Sequence, residues 1–357
     1  MLPIVSASVE PRCSVITQSD GDLFPCAWAD DGALYAANGD GKGFDLSAEW
    51  CDIVVNRIDG GIGGLRGVRL TGQEGVGSVF ADPAHYNRKP TGMACVDGVL
   101  YLAVQNLNKD PGQFGFDDVP YATICRSDDK GKTWTWDREK PMFDGYRFTT
   151  LMFLDYGKNY ENCPDDYVLA YGMDDNWRAS ISGKVRDPQE LYLARVRRDQ
   201  IMNREAWTFF CGMEGDSPLF SKDIGLRKPV LTDTRRVLVT PPEGKGSPKL
   251  SMSVISQGSV VYNKPLGRYL YTSWTENTFE FYEAPAPWGP FRLFLSYDFG
   301  FYPWTEERYG GYATVIPSKF ISEDGKTMYV QSNTFVGGTH KYAFNLRKLT
   351  VETGEAR

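Results

Sequence analysis

Apolar residues in this chain come in short runs. They alternate with polar positions or cluster over about four to eight residues before Asp, Gly, Asn or Pro breaks them. Long stretches with the spacing of an amphipathic helix are scarce, so the pattern predicts an all-β protein. Four hairpins can be placed at once, because each carries a Gly that supplies a positive φ and an Asp or Asn that tolerates one. They are Trp28–Tyr35 around Asp30-Asp31-Gly32, Cys95–Tyr101 around Asp97-Gly98, Val261–Tyr269 around Asn263 and Gly267, and Ile321–Tyr329 around Asp324-Gly325.

The strands gather in sets of about four, the number in one blade of a β-propeller. The sets cover 22–70, 89–137, 147–212, 250–297 and 310–351, and the last set is one strand short. Cys13–Thr17 can supply that strand and join the two ends of the chain, which removes open sheet edges. The expectation is one domain, 1–357: a single five-bladed β-propeller closed by pairing of N- and C-terminal strands. Within it, Leu250–Val261 reads as one strand and Arg197–Arg204 as a short helix capped by Asp199. The stretch 216–248 is rich in Pro, Lys and Asp and reads as a long excursion whose clear strand is Arg236–Thr240.

Composition narrows the chemistry. The 357 residues carry 46 acidic and 39 basic side chains, for a net charge of −7. An acidic chain argues against a general nucleic-acid binder, whose affinity comes from Lys and Arg on phosphates. Two histidines, His85 and His340, are too few for a His-rich zinc or iron site. Aromatic residues make up 14% of the chain, and carboxylates beside aromatic rings suit sugars. The seven cysteines, an odd number without a Cys-x-x-Cys, read as free thiols of a reducing compartment. Met1-Leu2-Pro3-Ile4-Val5-Ser6 lacks the basic and apolar regions of a signal peptide. No apolar run nears the roughly 20 residues that span a bilayer. As written the chain reads as cytoplasmic, or as secreted if a leader was trimmed, with no membrane partner. No organic cofactor is expected, and a structural calcium ion is compatible with the acid-rich loops.

One motif has a name. Ser127-Asp128-Asp129-Lys130-Gly131-Lys132-Thr133-Trp134 fits Ser-x-Asp-x-Gly-x-Thr-Trp at every position, which is the Asp box of sialidase-like propellers. Asp129 caps turn amides, Gly131 takes the left-handed conformation, and Trp134 packs between sheets. Ser127, Asp129, Gly131, Thr133 and Trp134 therefore read as structural. Further segments follow in a fixed order: Gly21-Asp22-Leu23-Phe24-Pro25, Asn38-Gly39-Asp40-Gly41-Lys42-Gly43-Phe44, Lys89-Pro90, Tyr192-Leu193-Ala194-Arg195-Val196, Tyr262–Tyr269 and Ala286-Pro287-Trp288-Gly289-Pro290. With these the chain resembles the family called domain-of-unknown-function 4185. The resemblance implies a propeller fold, and active members look like endo-D-arabinanases. The chain departs from the pattern at Asn38, where an aromatic residue that could touch sugar is expected.

In a propeller the innermost strands surround a central channel, and the loops at their starts form the usual binding face. Asp22, Lys89, Arg147, Ser251 and Tyr312 are the expected starts. Asp22 and Asp40 also match acidic positions of the resembled family. Glycoside hydrolysis needs one carboxyl group to protonate the leaving oxygen and one to activate water or attack carbon. Asp22 and Asp40 are the candidates. Asp174, in Met173-Asp174-Asp175-Asn176-Trp177-Arg178, is a third carboxylate, with Asn176 and Trp177 as substrate contacts. Lys89, Arg147, His85 and Tyr312 would contact substrate at the mouth. Glu74 and Glu306 are lesser acids. No metal ligands are assigned.

The leading expectation is a glycoside hydrolase of endo-arabinanase-like character, cleaving a glycan with a carboxylate pair in the central channel. Its rival is a non-catalytic glycan- or protein-binding propeller, since the fold hosts both. A third reading is a sialidase-like or lyase-type enzyme using Tyr309 or Tyr312. Arg147 and Arg178 could grip a sialic-acid carboxylate, although no ordered arginine triad is present.

Overall fold

The computed structural model describes residues 2–72, 74–76, 79, 86–108, 118–180, 183–239, 250–275, 277–299, 312–333 and 342–355. Among them are strands and short 3-10 turns but no α-helix, and no helix long and apolar enough to cross a membrane.

The chain opens with β1 (Ile4–Val9). Next, β2 (Asp20–Asp22), β3 (Cys26–Trp28), β4 (Leu34–Gly43), β5 (Cys51–Asp59) and β6 (Arg66–Thr71) form a five-stranded sheet with β2 and β3 both on β4. β7 (Tyr86–Val96), β8 (Val99–Asn108) and β9 (Tyr121–Ser127) form an antiparallel meander. A third meander holds β10 (Thr150–Asp155), β11 (Tyr167–Met173), β12 (Glu190–Arg197) and β13 (Thr208–Glu214). It is extended by β14 (Ser217–Ser221) on β13 and β15 (Pro229–Thr232) on β12. β16 (Arg236–Val239) and β17 (Leu250–Ser253) make a two-stranded ribbon. A fourth meander is β18 (Ser259–Asn263), β19 (Arg268–Trp274), β20 (Thr278–Ala284) and β21 (Arg292–Asp298). The last is β22 (Tyr312–Val315), β23 (Thr327–Asn333) and β24 (Leu346–Thr353), with β1 antiparallel to β24. β10 and β18 pair in parallel, Leu154 with Val260 and Asp155 with Val261, which merges the third and fourth meanders into a ten-stranded sheet.

Several expected elements take a different form. The strand joining the chain's start to β24 is Ile4–Val9, while Cys13–Thr17 touches β24 through a single bridge, Val15 to Leu346. Ile4 is held by its N–H donating to Glu283 Oε1 (2.9 Å) and by Arg292 donating to its carbonyl. Leu250–Val261 is broken because Ser256 and Gln257 turn their side chains into hydrogen bonds with Ser273 and Gln105. Ser251 therefore lies on the exposed β16–β17 ribbon, and the inner strand begins at Ser259. The stretch 216–248 contains β14 and β15 as well as β16. Arg197–Arg204 is replaced by two 3-10 turns, and the side-chain cap belongs to Asn203, which accepts from Glu205 N (3.1 Å). Residues 133–137, the end of the second expected set, add to β9 only the bridge Arg126 to Thr135.

The first strands of the successive meanders converge. Cys26, Gly92, Phe153, Val260 and Ile316 all border one cavity of about 20 Å³. Start is tied to start around it: Gln257 Nε2 donates to Pro90 O (3.0 Å), Thr91 Oγ1 to Leu151 O (2.5 Å), and Ile316 N to Ser259 Oγ (3.2 Å). This is an all-β, propeller-like arrangement with two unlike ends. The first hairpin turn of each meander lies at one end. The starts of the first strands and the finishes of the second lie at the other, here called the mouth.

The turn end follows local rules. Asp97 (φ 50°) and Gly98 (φ 82°) both take the left-handed region that a two-residue hairpin needs. In the Asp box, Asp129 Oδ1 accepts from Ser127 Oγ (2.9 Å), Lys132 N (3.2 Å) and Thr133 N (2.9 Å), and Oδ2 from Thr133 Oγ1 (2.7 Å). Trp134 is buried against β4, β5, β7 and β8 residues, with Nε1 donating to Gly131 O (3.1 Å).

Candidate functional site

The mouth is built on the close approach of β2 to β4. Asp22 pairs with Gly39, and Asp20 with Gly43. A first side-chain carbon at Gly39 would lie 2.4 Å from Asp22 Oδ1 and 3.1 Å from Lys89 Cδ, and one at Gly41 would lie 2.4 Å from Asp20 O. Only glycine fits at 41, where the clash is with backbone, while a side chain at 39 would displace the Asp22 carboxylate and press on the Lys89 stem. The Gly-Asp-Gly of Gly39–Gly41 is thus a stretch of strand pressed on its neighbour rather than a turn. Asp40 between the glycines is held at φ 39°, an uncommon conformation for a side-chain-bearing residue. The geometry gathers Asp22, Asp40 and Lys89 at one rim. Lys89 Nζ forms an ion pair with Asp40 Oδ2, and Asp22 Oδ2 accepts from Tyr342 OH (2.7 Å).

A second ion pair lies beside the first. Gly39 pairs with Ile53 and Gly41 with Cys51, which sets Asp40 across from Asp52. Asp52 is paired to Arg88, the residue before Lys89, and Arg88 is almost fully buried. Removing one partner of so buried a pair leaves an uncompensated charge. Asn38 straps β2 to β4: its Nδ2 donates to Asp20 O (3.3 Å) and Gly39 O (3.2 Å), and its Oδ1 accepts from Asn56 Nδ2 (2.8 Å). It is completely buried, so the residue standing where an aromatic was expected is a backbone strap.

Buried amides continue around the mouth. Gln105 lies opposite Lys89 on β8. Its Oε1 accepts from Thr150 Oγ1 (2.8 Å) and its Nε2 donates to Gln257 Oε1 (3.0 Å), which links β8 to β10 and to the segment that leads into β18.

Asp174, just beyond the finish of β11, is held by other partners. Its Oδ1 accepts from Phe148 N (2.8 Å) and its Oδ2 pairs with Arg227. Burial pushes its pKa up, and the Phe148 amide and Arg227 offset this only in part. Asp174 borders an open cleft of about 400 Å³ together with Asp175, Asp187, Glu190, Arg186 and Arg236. Asn176 is fully buried. The ring of Trp177 is 6% exposed, packed 5.9 Å from Trp274 with the Arg178 guanidinium 5.0 Å from its centroid. Its faces serve packing, which argues against the expected sugar platform.

The remaining candidates scatter. Arg147 is exposed beside β10, and Arg178 stacks on Trp177. Tyr312 starts β22, but its side chain lies outside the described residues, as do His85, Glu306, Tyr309 and His340 entirely. Glu74 is exposed and accepts from Gly72 N (3.1 Å). All seven cysteines are free. Among the described residues no group of three or more His, Cys, Asp or Glu is placed to hold a metal ion.

Sequence reasoning missed Asp52, Arg88, Gln105 and Gln257. A signal existed for one of them, Gln105. Gln105-Asn106 ends an apolar run and puts amides on both faces of one strand, and such a finish marks a polar rim. Nothing local marks Asp52 or Gln257, whose partners are distant in sequence.

Among solved structures the chain is similar to a putative hydrolase from Bacteroides ovatus, with TM-score 0.52 and 12% identity, over 95% of this chain and 87% of that one. It is also similar to a GH43 β-xylosidase/α-arabinofuranosidase from a compost microbial metagenome, solved in complex with xylotriose. There the TM-score is 0.51 and the identity 13%, over 98% of this chain and 96% of that one. At these identities the likeness is one of fold. No protein-family model matches the chain, and no curated protein matches it in sequence.

Proposed function

We propose that this protein is a glycoside hydrolase of endo-arabinanase-like character, related to the family called domain-of-unknown-function 4185. In this reading it is a five-bladed propeller whose ring is closed by β1 on β24. Asp22 and Asp40 are its acid/base pair, one carboxyl protonating the glycosidic oxygen while the other activates water or attacks carbon. The observation that carries the reading is the gathering of Asp22, Asp40 and Lys89 at one rim, where glycines bring β2 and β4 into contact. A shared fold with a β-xylosidase supports it at the level of architecture.

The test is release of reducing ends from arabinan, xylan and pectin by the purified chain and by Asp22→Asn and Asp40→Asn. The wild type is expected to act on at least one polymer, and each variant to lose about 10²–10⁴-fold. Activity unchanged in both variants, or absent in the wild type, would overturn the proposal. One observation favours a second reading, a non-catalytic glycan-binding propeller: both carboxylates already have partners, Asp40 in Lys89 and Asp22 in Tyr342.

A further inference from the structure

The connection from β4 to β5, residues 44–50, lies at the mouth, because β4 finishes there. Its last residue is Trp50, which is 54% exposed. Among the described residues it is the one exposed tryptophan; the others are buried or partly buried. Some of those already have a face covered. Trp177 lies under Arg178, and Trp136 under Arg138, whose guanidinium is 4.7 Å from the ring centroid. No ring or guanidinium of the described residues covers Trp50.

A single exposed apolar side chain needs no explanation by itself. This one, however, stands on a braced backbone. Arg69 Nη1 donates to Lys42 O (3.1 Å) and Glu49 O (2.8 Å), and its Nη2 to Cys51 Sγ (3.1 Å). One arginine thus holds the residues on both sides of Trp50. Lys42 Nζ donates to Leu46 O (3.2 Å), and Asp45 Oδ1 accepts from Ser47 N (3.0 Å) and Ser47 Oγ (2.6 Å). A ring fixed in this way loses little freedom when a ligand lands on it.

The place of Trp50 gives the ligand. Cys51 pairs with Gly41, so strand spacing puts the Cα of Trp50 within about 10 Å of that of Asp40. Asp45, Leu46, Ser47 and Glu49 are exposed on the same connection, one apolar side chain among three polar ones. Such a mixture suits a glycan, whose rings carry C–H faces between hydroxyl edges, and indole is apolar on its face.

We propose that Trp50 is a glycan-contacting residue whose indole face stacks on one ring of a chain lying across the rim. The inference deepens the glycan-cleaving reading and rests on it for the class of ligand and for the rim as its place.

The test uses Trp50→Ala, Trp50→Phe and, beyond the Asp box, Trp136→Ala as control. Binding of arabinohexaose and xylohexaose is titrated calorimetrically in the Asp22→Asn background, so that neither is consumed. KM and kcat are measured on whichever of arabinan, xylan and pectin the wild type cleaves, and Tm without ligand. Trp50→Ala should weaken binding of at least one hexaose about three- to tenfold and raise KM to match, with kcat changed less than about twofold. Trp50→Phe keeps a ring face and should retain most of the affinity, and Trp136→Ala all of it. Tm should hardly move in the Trp50 variants, since so exposed a side chain adds little to the core. Unchanged affinity in Trp50→Ala, an equal loss in Trp136→Ala, a fall in kcat in place of a rise in KM, or no binding of either hexaose would overturn the proposal. Should Trp50→Ala not fold, Trp50→Leu, which keeps bulk without a ring, takes its place with the same expectations. The two readings fail separately. Trp50-dependent binding without cleavage by the wild type removes the catalytic proposal and leaves this one. Cleavage lost in Asp22→Asn but untouched in Trp50→Ala does the reverse.

Discussion

The two ends of the strands follow different rules. At the turn end, polar groups are matched by turn residues of the same or of a neighbouring meander. Asp31 Oδ1 accepts from Ala33 N (3.1 Å), Asn263 Nδ2 donates to Gly325 O (2.8 Å), and Asn159 Oδ1 accepts from Gly98 N (2.7 Å). At the mouth, buried carboxylates face cations across sheets, Asp40 is held at positive φ, and several amides have no protein partner. The turn end is arranged for folding. Unmet buried atoms and positive φ occur at both ends, Asn162 Oδ1 and Asn159 at the turn end among them, so what sets the mouth apart is its pair of buried cations, Lys89 and Arg88, held by carboxylates of a neighbouring sheet.

This contrast can be broken by substitution. The largest effect is expected at the mouth: Asp22→Asn should reduce polysaccharide cleavage about 10³-fold with little change in Tm. A large drop in Tm with activity retained would show Asp22 to be a fold residue. At the turn end, Gly98→Val forces a β-branched residue to φ 82°, with no atom closer than 3.7 Å to the new carbon. The loss is therefore a backbone one, about 1–2 kcal/mol in urea unfolding, and glycan binding should not move. Asp129→Ala removes four accepted hydrogen bonds from a partly exposed turn and should lower stability by about 1 kcal/mol, again without affecting the mouth.

The smallest effect concerns Asp155, which borders the central cavity and accepts from Ser318 N (3.0 Å), Ser318 Oγ (2.8 Å) and Gly157 N (2.8 Å). Burial raises its pKa, and the bonds from Ser318 and Gly157 offset this only in part. A carboxyl whose folded pKa is raised stabilises most below the ordinary carboxylate range and loses that contribution as pH rises through the raised value. The Tm difference between wild type and Asp155→Asn should therefore favour wild type most in acid and shrink toward neutral pH. A difference that grows with pH would mean that the bonds from Ser318 and Gly157 outweigh burial.

How much was legible in the sequence follows the same division. The hairpins at Gly32, Gly98 and Gly267 could be read because a two- to five-residue turn is specified by its own residues, whereas Gly325 lies in the longer connection 316–326, which holds the 3-10 turn Ser318–Phe320 where a strand at Ile321 was expected. The Asp box could be read for the same reason. Strand partnership at the chain's start could not. Cys13–Thr17 and Ile4–Val9 are both short and apolar in part, and the choice is made by Glu283 and Arg292, far along the chain. The break in Leu250–Val261 likewise depends on Ser273 and Gln105. At the site, the glycines around Asp40 marked a close approach that has nothing to do with a turn. The burial of Trp177 could not be read, because exposure, unlike residue type, is a property of the packed sheets.

The cavity where the first strands meet holds about 20 Å³, room for a single water molecule. At that point there is no room for a sugar ring. In the glycan-cleaving reading proposed above, a polymer therefore lies across the rim rather than through the meeting point of these strands.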